Sequence, residues 1–201
     1  MDKEYLVQQL SEIAARYNVP ADREALGELV AISSFRVIAQ GSLIASIGDG
    51  TGYSGLMLNG TARSYYIDSE GNDITRGFAV EGSLFMDEGL YGYDERICMW
   101  EALEDSTVML CETSRVKDLI RSNAAFKDLW ICLLEMSVRY KLYRENGFLV
   151  ESAAERYMHF KKLYPEVCRR VPQKHIATYL GITPESLSRI RSAMQERKPE
   201  A

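Results

Sequence analysis

The chain contains no long apolar run, and its four cysteines form no CxxC pair. A membrane span needs about 20 consecutive apolar residues, so none is predicted, and the opening Met1-Asp-Lys-Glu has no signal-peptide character. We therefore expect a cytoplasmic protein without a membrane partner. The wide spacing of the cysteines argues against a disulfide framework and against a clustered metal or iron–sulfur site. Each is expected to be a small buried thiol: Cys98, Cys111, Cys132 and Cys168.

Histidine is equally scarce, because the chain has only His159 and His175 and residues 30–113 contain none. Enzymes of the cupin-like barrel class place several histidines and a carboxylate around a metal inside the barrel. We therefore expect no enzyme activity, no catalytic residue and no metal site. His175 is expected to face solvent or to lie near a phosphate group.

The 201 residues suit one large or two small domains, and 46% apolar residues are enough to build a core. The net charge of −5 is unevenly divided. Residues 151–201 contain 10 Lys and Arg against 6 Asp and Glu, a net of +4, whereas residues 1–150 contain 14 against 23, a net of −9. A basic region on an acidic body confines any phosphate contact to the C-terminal quarter.

The N-terminal half changes from a helical pattern to a β pattern. Residues 4–17 have apolar side chains at helical spacing and precede Pro20, which predicts an amphipathic helix. Farther on, short β-branched and aromatic runs are separated by turn signals at 48–52, at Asn59-Gly60 and at 69–73. Evenly spaced runs of this kind predict an antiparallel sandwich or barrel. The runs are 35–39, 42–46, 53–58, 62–67, 97–103 and 107–111.

A helical region is predicted to follow the strands from Thr113. Six residues repeat in it at spacings of 3 and 4, as in a coiled-coil seam, which favours homodimerisation through a long helix at 116–147. The alternative is a helix that packs on its own β domain, and Trp130 and Leu134 widen the stripe enough for both. The predicted dimer interface consists of Phe126, Leu129, Leu133, Met136, Tyr140 and Tyr143.

The end of this helix carries two further signals. Gly147 is expected to break or kink the helix, because glycine is a poor helix former. Ser152-Ala-Ala-Glu155 matches a capping box, which predicts a new helix that ends before Pro165.

Two short helices joined by a tight turn are predicted between residues 170 and 191. Gly181 supplies the backbone freedom of the turn, Thr183 can cap the second helix, and Pro184 suits its first position. The second helix has an apolar stripe of Leu187, Ile190 and Met194.

The other face of that second helix carries polar side chains suited to DNA. Glu185 and Arg189 lie four residues apart, with Ser186 and Ser188 beside them. Arg suits guanine and Glu suits cytosine, so such a helix can enter a major groove. The alternative is an ordinary helical hairpin whose Glu185–Arg189 pair is a solvated ion pair.

The order of β barrel, long helix and helix-turn-helix resembles the cyclic-AMP-receptor/fumarate-nitrate-regulator (Crp/Fnr) family of bacterial transcription factors. Glu185-Ser-Leu-Ser-Arg189 resembles the family's recognition-helix pattern Glu-x-x-Ser-Arg, and the residues from Val171 to Pro184 resemble the branch common in Bacteroidetes-like bacteria. This resemblance implies an α+β fold, with an antiparallel β-roll similar to cyclic-nucleotide-binding and cupin-like jelly-roll domains. The implied domains are a β-roll sensor with an N-terminal helix at 1–115, a dimerisation helix at 116–147 and a helix-turn-helix domain at 148–201. That last domain would lack a full wing, since ten residues follow Arg191.

The resemblance also implies partners and a DNA-binding surface. Family members bind palindromic double-stranded DNA as homodimers, and RNA polymerase is a further candidate partner. Pro184 stands where cyclic-AMP-type members often carry another base-reading Arg, so the half-site preference should differ. The implied DNA-binding residues are Gln173, Lys174, Glu185, Ser186, Ser188, Arg189 and Arg191.

The resemblance also raises the question of an effector pocket in the β-roll. Arg96 aligns with the family's phosphate-binding Arg, but Ile97 replaces a small residue and the Gly-Glu pair is out of order. Four acidic residues crowd the loop and disfavour a cyclic nucleotide as cofactor, so an ion pair of Arg96 with one of them is favoured. The rival function is a cyclic-nucleotide-binding signalling protein without DNA-binding activity. The pocket candidates are Glu81, Gly82, Ser83, Leu84 and Arg96, and the acidic residues are Asp87, Glu88, Asp94 and Glu95.

Overall fold

Among the described residues, two helices precede the β structure. The computed structural model describes residues 2–47 and 52–196, with Glu196 described by its backbone alone. Helix α1 (Lys3–Arg16) confirms the predicted N-terminal helix, and Asp2 caps it through a hydrogen bond from the Glu4 amide. Helix α2 (Arg23–Ala31), capped by Asp22, was not predicted, because it is short and contains Gly27.

In the described part of the chain, eight strands form two four-stranded antiparallel sheets, in agreement with the predicted antiparallel sandwich or barrel. One sheet has the order β1-β8-β3-β6 and the other the order β2-β7-β4-β5; the strands together are called the β-roll. The sequence patterns missed β5, which contains Gly77 and charged residues, and the two-residue β6. The strands are β1 (Ser33–Ile38), β2 (Leu43–Ala45), β3 (Tyr53–Asn59), β4 (Ala62–Ile67), β5 (Asp73–Ala79), β6 (Leu84–Phe85), β7 (Met99–Ala102) and β8 (Ser106–Glu112).

The predicted turn at Asn59-Gly60 connects β3 and β4. Gly60 has φ 102°, and a Cβ there would lie 2.2 Å from the Ser106 hydroxyl oxygen, so the position requires glycine. Of the predicted turn at 48–52, residues 48–51 lie outside the described ranges. The expected absence of a full wing also concerns a segment whose last five residues lie outside them.

Two apolar clusters build the N-terminal part of the molecule. Met57, Phe85 and Val108 belong to a cluster between the two sheets. The second cluster joins the helices to the outer side of the β3–β8 pair, where Leu56 and Met109 meet Leu6 and Leu26. The helices therefore cover one sheet and leave the other free to meet the C-terminal part of the chain.

Two helices follow β8, and their bounds correct the prediction of one helix at 116–147. Helix α3 (Thr113–Ser122) is followed by Asn123, whose side chain caps helix α4 (Ala124–Val150). Gly147 does not break the helix, because α4 continues through it to Val150. A single interior glycine costs about 1 kcal/mol relative to alanine, which a 27-residue helix tolerates.

The coiled-coil-like seam of α4 faces the chain's own interior, as the alternative interpretation proposed. Phe126 and Leu129 are buried in the cluster under α1 and α2, and Leu133 and Met136 pack against the same cluster. The Tyr140 hydroxyl lies 2.9 Å from that of Tyr179 in the same chain. Phe126 and Leu129 are therefore covered by this chain, whereas Leu133, Met136 and Tyr140 are half-buried. Tyr143, the sixth, stays exposed and contacts the His159 ring.

Between residues 151 and 196, the described C-terminal part, four helices surround a third apolar cluster. The capping box at Ser152 and Glu155 is present, and the helix it opens ends before Pro165, both as predicted. Phe78 of β5 belongs to the same cluster as Phe160, Tyr179 and Leu187, so the β-roll and the C-terminal helices share a core. The helices are α5 (Ala153–Leu163), α6 (Val167–Arg170), α7 (Gln173–Tyr179) and α8 (Pro184–Glu196). Within the described ranges, no helix is both long and apolar enough to cross a membrane.

Candidate nucleic-acid interface

The turn between α7 and α8 has the local structure that its sequence predicts. Gly181 has φ 69°, and a Cβ there would lie 2.9 Å from the Phe148 ring, so both backbone and space require glycine. Thr183 caps α8, since its hydroxyl accepts a hydrogen bond of 3.2 Å from the Ser186 amide. Leu187 is completely buried, and this fixes which face of α8 points away from the core.

The outward face of α8 carries the predicted base-reading residues. Glu185, Ser188 and Arg189 are exposed, whereas Ser186 and Arg191 are half-buried. The Arg189 guanidinium donates a hydrogen bond of 3.1 Å to the Ser186 hydroxyl. Hydrogen bonds from its own backbone amide and from Thr183 hold the pKa of Glu185 below its ordinary value, so this carboxylate is an acceptor at neutral pH.

The first turn of α7 carries the two predicted phosphate contacts. Gln173 and Lys174 are exposed, directly after Pro172. Their side chains are free to reach a phosphate backbone, while the next turn of the same helix packs on the β-roll. The helix-turn-helix unit, residues 173–196, therefore has one side on the protein and one side open.

The contact between α7 and β5 corrects the expectation for His175. Its side chain is 5% exposed, and its Nδ1 has no hydrogen-bond partner among the described residues. Burial, followed by the positive charges of Arg63 and Lys174, lowers the pKa of His175 to about 4. His175 faces neither solvent nor phosphate, because α7 docks on the sheet through this side.

Polar contacts accompany this docking. The Thr178 hydroxyl donates to that of Thr75 in β5 at 2.9 Å and accepts from the Thr75 amide at 3.2 Å. Arg170 forms ion pairs with Glu81 and Glu104 of the β-roll. The placement of the helix-turn-helix unit thus rests on hydrogen bonds and ion pairs as well as on the shared core.

The effector-pocket candidates other than Arg96 lie in the turn before β6 and on β6 itself. Glu81 accepts from the Gly60 amide and pairs with Arg170, and Ser83 accepts from the Val80 amide. Gly82 has φ 84° beside Ile13, and Leu84 is exposed on β6. None of these four described residues has a recorded polar contact with Arg96.

Arg96 is instead neutralised by carboxylates, as the ion-pair interpretation favoured. Its guanidinium, 6% exposed, lies 3.2 Å from the Asp87 carboxylate and 4.0 Å from that of Glu88. Asp87 is completely buried and also accepts a hydrogen bond from Thr113. An incoming phosphate would have to displace these carboxylates from the same guanidinium.

Two further residues complete this cluster, and the sequence patterns did not reveal them. Arg76 of β5 lies 3.5 Å from the Glu88 carboxylate and donates to the Cys98 sulfur at 3.3 Å. Burial and the Glu88 hydrogen bond raise the pKa of Cys98 to about 12, so the thiol stays protonated. No sequence signal pointed to Arg76, because β5, the strand that carries it, was not predicted.

The cysteines and possible metal ligands stay apart. Cys98 and Cys111 are buried free thiols, as predicted, whereas Cys132 and Cys168 are half-buried. In the described part of the chain, no group of three or more His, Cys, Asp or Glu residues could hold a metal ion.

The fold is shared with solved bacterial regulators. No protein-family model and no curated protein matches the chain. FixK2 from Bradyrhizobium japonicum has 21% identity and a TM-score of 0.71, covering 83% of this chain and 86% of that chain. CLP, a c-di-GMP-responsive global regulator from Xanthomonas campestris, has 15% identity and a TM-score of 0.69, with 87% and 92% covered. A Crp/Fnr family transcriptional regulator from Eubacterium rectale has 16% identity and a TM-score of 0.68, with 87% and 84% covered.

These similarities define the class of fold. The chain has an antiparallel β-roll, a long helix and a C-terminal helix-turn-helix unit in the arrangement of Crp/Fnr regulators. The α+β fold predicted from the sequence is therefore confirmed.

Proposed function

We propose that the chain belongs to the Crp/Fnr family and acts in the cytoplasm as a homodimeric regulator that reads palindromic DNA with α8. The main support for this proposal is the outward face of α8. Glu185, Ser188 and Arg189 are exposed there, on a helix whose other face is buried. The proposed domains keep the predicted division at 1–115, 116–147 and 148–201. The regulators of the same fold support this assignment.

The proposed DNA contacts follow from hydrogen-bonding chemistry. Arg189 would donate to guanine O6 and N7, and Glu185 would accept from cytosine N4. Ser188 and Ser186 would reach base edges or phosphates. Gln173 and Lys174 would contact the phosphate backbone near the start of α7, and Arg191 completes the predicted set.

Dimerisation is proposed through the side of α4 opposite to the inward seam. At 100° per residue, five apolar residues fall on this opposite side and lie along one line. An open and nearly flat patch formed by Ile131, Leu134, Glu135, Val138 and Arg139 lies on this side, in the middle of α4. A second copy of the helix would cover this face and hold two α8 helices about 34 Å apart, the span of one DNA turn. The five residues are Ile131, Leu134, Val138, Leu142 and Leu149.

The experiment measures oligomeric state and DNA binding together. Sedimentation equilibrium gives the mass of the wild-type protein, and fluorescence anisotropy measures its affinity for an operator selected from genomic fragments. We expect a dimer that prefers a palindrome. Val138→Glu should give a monomer with weakened operator binding, because a charge would be buried in the interface.

Val37→Glu is the matched control, because Val37 is 80% exposed on β1 and Val138 is 53% exposed on α4. The control should keep both the dimer and the affinity. A wild-type protein that stays monomeric and ignores genomic fragments in low salt would contradict the proposed function.

The β-roll is proposed to act without a cyclic nucleotide. The reason is the buried contact of Arg96 with Asp87, which occupies the guanidinium that a cyclic phosphate would need. Calorimetry with cyclic AMP and cyclic GMP should show no binding. Tight binding of either would favour the signalling-protein alternative.

A further inference from the structure

Arg144 lies where three parts of the molecule meet. It is half-buried on the inward side of α4. Its guanidinium donates to the Tyr179 carbonyl of α7 at 3.0 Å and to the Arg76 carbonyl of β5 at 3.4 Å. It also donates to the Tyr140 hydroxyl, one turn away on α4, at 3.4 Å. One side chain therefore joins the long helix, the β-roll and the helix-turn-helix unit.

Aromatic contacts fix the plane of this guanidinium. Its central carbon lies 3.7 Å from the ring centroid of Tyr179 and 5.0 Å from that of Phe148. A guanidinium stacked on a ring and bonded to two carbonyls has little freedom to turn, because its donors form a rigid planar fork. A lysine ammonium has neither the plane nor the fork.

The Tyr179 side chain is held from a second direction. Its hydroxyl lies 2.9 Å from that of Tyr140, and Tyr164, directly after α5, donates to Tyr140 at 3.5 Å. The Tyr179 ring also contacts Phe78 of β5, with ring centroids 5.5 Å apart. Tyr179 ends α7, two residues before the turn glycine, so its position directly affects where α8 begins.

We propose that Arg144 is a positioning residue that sets the orientation of the helix-turn-helix unit against α4 and the β-roll. In the dimer this orientation fixes the angle and separation of the two α8 helices, and so the operator spacing that the protein accepts. This role rests on the proposed function, since it concerns how the two α8 helices meet DNA. In this proposal Arg144 acts through the position of α8 and does not contact DNA itself.

The test compares spacer preference, which general destabilisation would not change selectively. A library of operators carries two fixed half-sites separated by spacers of different lengths, and each protein selects from it. The wild-type protein should reject a spacer changed by one base pair by about tenfold or more, whereas Arg144→Lys should reduce this discrimination to about threefold or less. Binding to random DNA should be unchanged.

Arg156→Lys is the matched control. Arg156 of α5 also donates to two backbone carbonyls, those of Leu180 and Glu151, and lies over the Phe148 ring. These partners lie at the end of α4 and in the C-terminal helices, and its recorded hydrogen bonds do not include β5. The control should therefore keep the wild-type spacer preference.

The outcomes separate this inference from the proposed function. If the wild-type protein enriches no paired half-sites, both the positioning role and the proposed function are overturned. If Arg144→Lys enriches the same spacer with undiminished discrimination, the positioning role alone is overturned. Should Arg144→Lys fail to fold in a thermal unfolding assay, Arg144→Gln takes its place. That variant also removes the planar fork that bonds the Tyr179 and Arg76 carbonyls, and unchanged spacer discrimination in it would equally overturn the role.

Discussion

Two arginines, one in the β-roll and one in the helix-turn-helix unit, have opposite surroundings. Arg96 is buried and faces the carboxylates of Asp87 and Glu88. Arg189 is exposed on α8 and donates to a neighbouring serine hydroxyl. The first arginine is neutralised within the protein, whereas the second keeps most of its donors for another molecule.

The difference follows from what burial demands. A buried charge must be paired, because leaving it unpaired costs more than any single contact stabilises. An exposed charge has no such requirement, because water solvates it. The β-roll therefore holds its guanidinium in a structural role, and α8 presents its guanidinium at the protein surface. Each of the following variants tests one side of this contrast.

The largest effect is expected from Asp87→Asn. The change removes the nearer carboxylate from the buried Arg96 guanidinium, which keeps Glu88 at 4.0 Å and its hydrogen bond of 3.0 Å to the Tyr53 carbonyl. We expect a loss of about 3–5 kcal/mol in the free energy of unfolding, measured by urea denaturation. Asp118→Asn is the matched control: Asp118 pairs with Arg121 on the surface of α3, so its loss should cost less than about 1 kcal/mol.

A double variant decides whether the loss comes from the stranded charge. Asp87→Asn combined with Arg96→Met removes both charges, and it should cost less than the sum of the single changes. Additive losses would show that Arg96 and Asp87 are not energetically coupled, and the contrast with Arg189 would fail.

His175, where the two regions meet, should produce an acid-dependent loss of stability. Its folded-state pKa of about 4 lies below the ordinary value of about 6.5, so the unfolded state binds the proton more readily between these values. The stabilisation is complete above about pH 6.5 and is lost as pH falls toward 4, amounting to about 2–3 kcal/mol. The measurement is urea denaturation at several pH values.

Two variants at α7 give a direct control for this profile. His175→Gln removes the titrating group, so its stability should change less between pH 6.5 and 4 than that of the wild-type protein. Gln173→Ala, at the exposed start of the same helix, should keep the wild-type dependence. An unchanged slope in His175→Gln would show that α7 does not hold a neutral histidine against the β-roll.

The sequence predicted the helix-turn-helix unit well, because its signals are local. A glycine with positive φ, a capping threonine and a proline at the first helical position each determine structure within a few residues. The observed bounds of α8 and the cap at Thr183 agree with them. Exposure of Glu185 and Arg189 follows from the same local pattern, since Leu187 must face inward.

Long-range contacts account for the predictions that were wrong. Periodicity shows that one face of α4 is apolar but does not show what covers it, and the inward seam at Phe126 and Leu129 packs on α1 and α2. His175 is buried because α7 meets β5, about 100 residues earlier in the chain, as Thr75 and Thr178 show. Tertiary packing of this kind overrides any local pattern.

Arg189→Ala should lower operator affinity without lowering stability. Loss of a guanine contact should cost about 1–3 kcal/mol at the cognate site, with little change for random DNA. Fluorescence anisotropy on both DNAs measures the two affinities. Gln195→Ala, at an exposed position on a different side of α8, is the control and should bind both DNAs as the wild type does. Equal losses on both DNAs for Arg189→Ala would contradict a base-reading role.

The smallest effect is expected from Lys174→Ala, which tests whether the exposed side of α7 also serves DNA. A phosphate contact carries no sequence information, so affinity should fall for all DNA and the salt dependence should flatten by about one unit of slope. Lys3→Ala removes another exposed lysine, from α1 in the acidic N-terminal part of the chain, and should leave the slope unchanged. If both variants alter the slope alike, lysines contribute through the net charge of the protein, and the open side of α7 is not part of the interface.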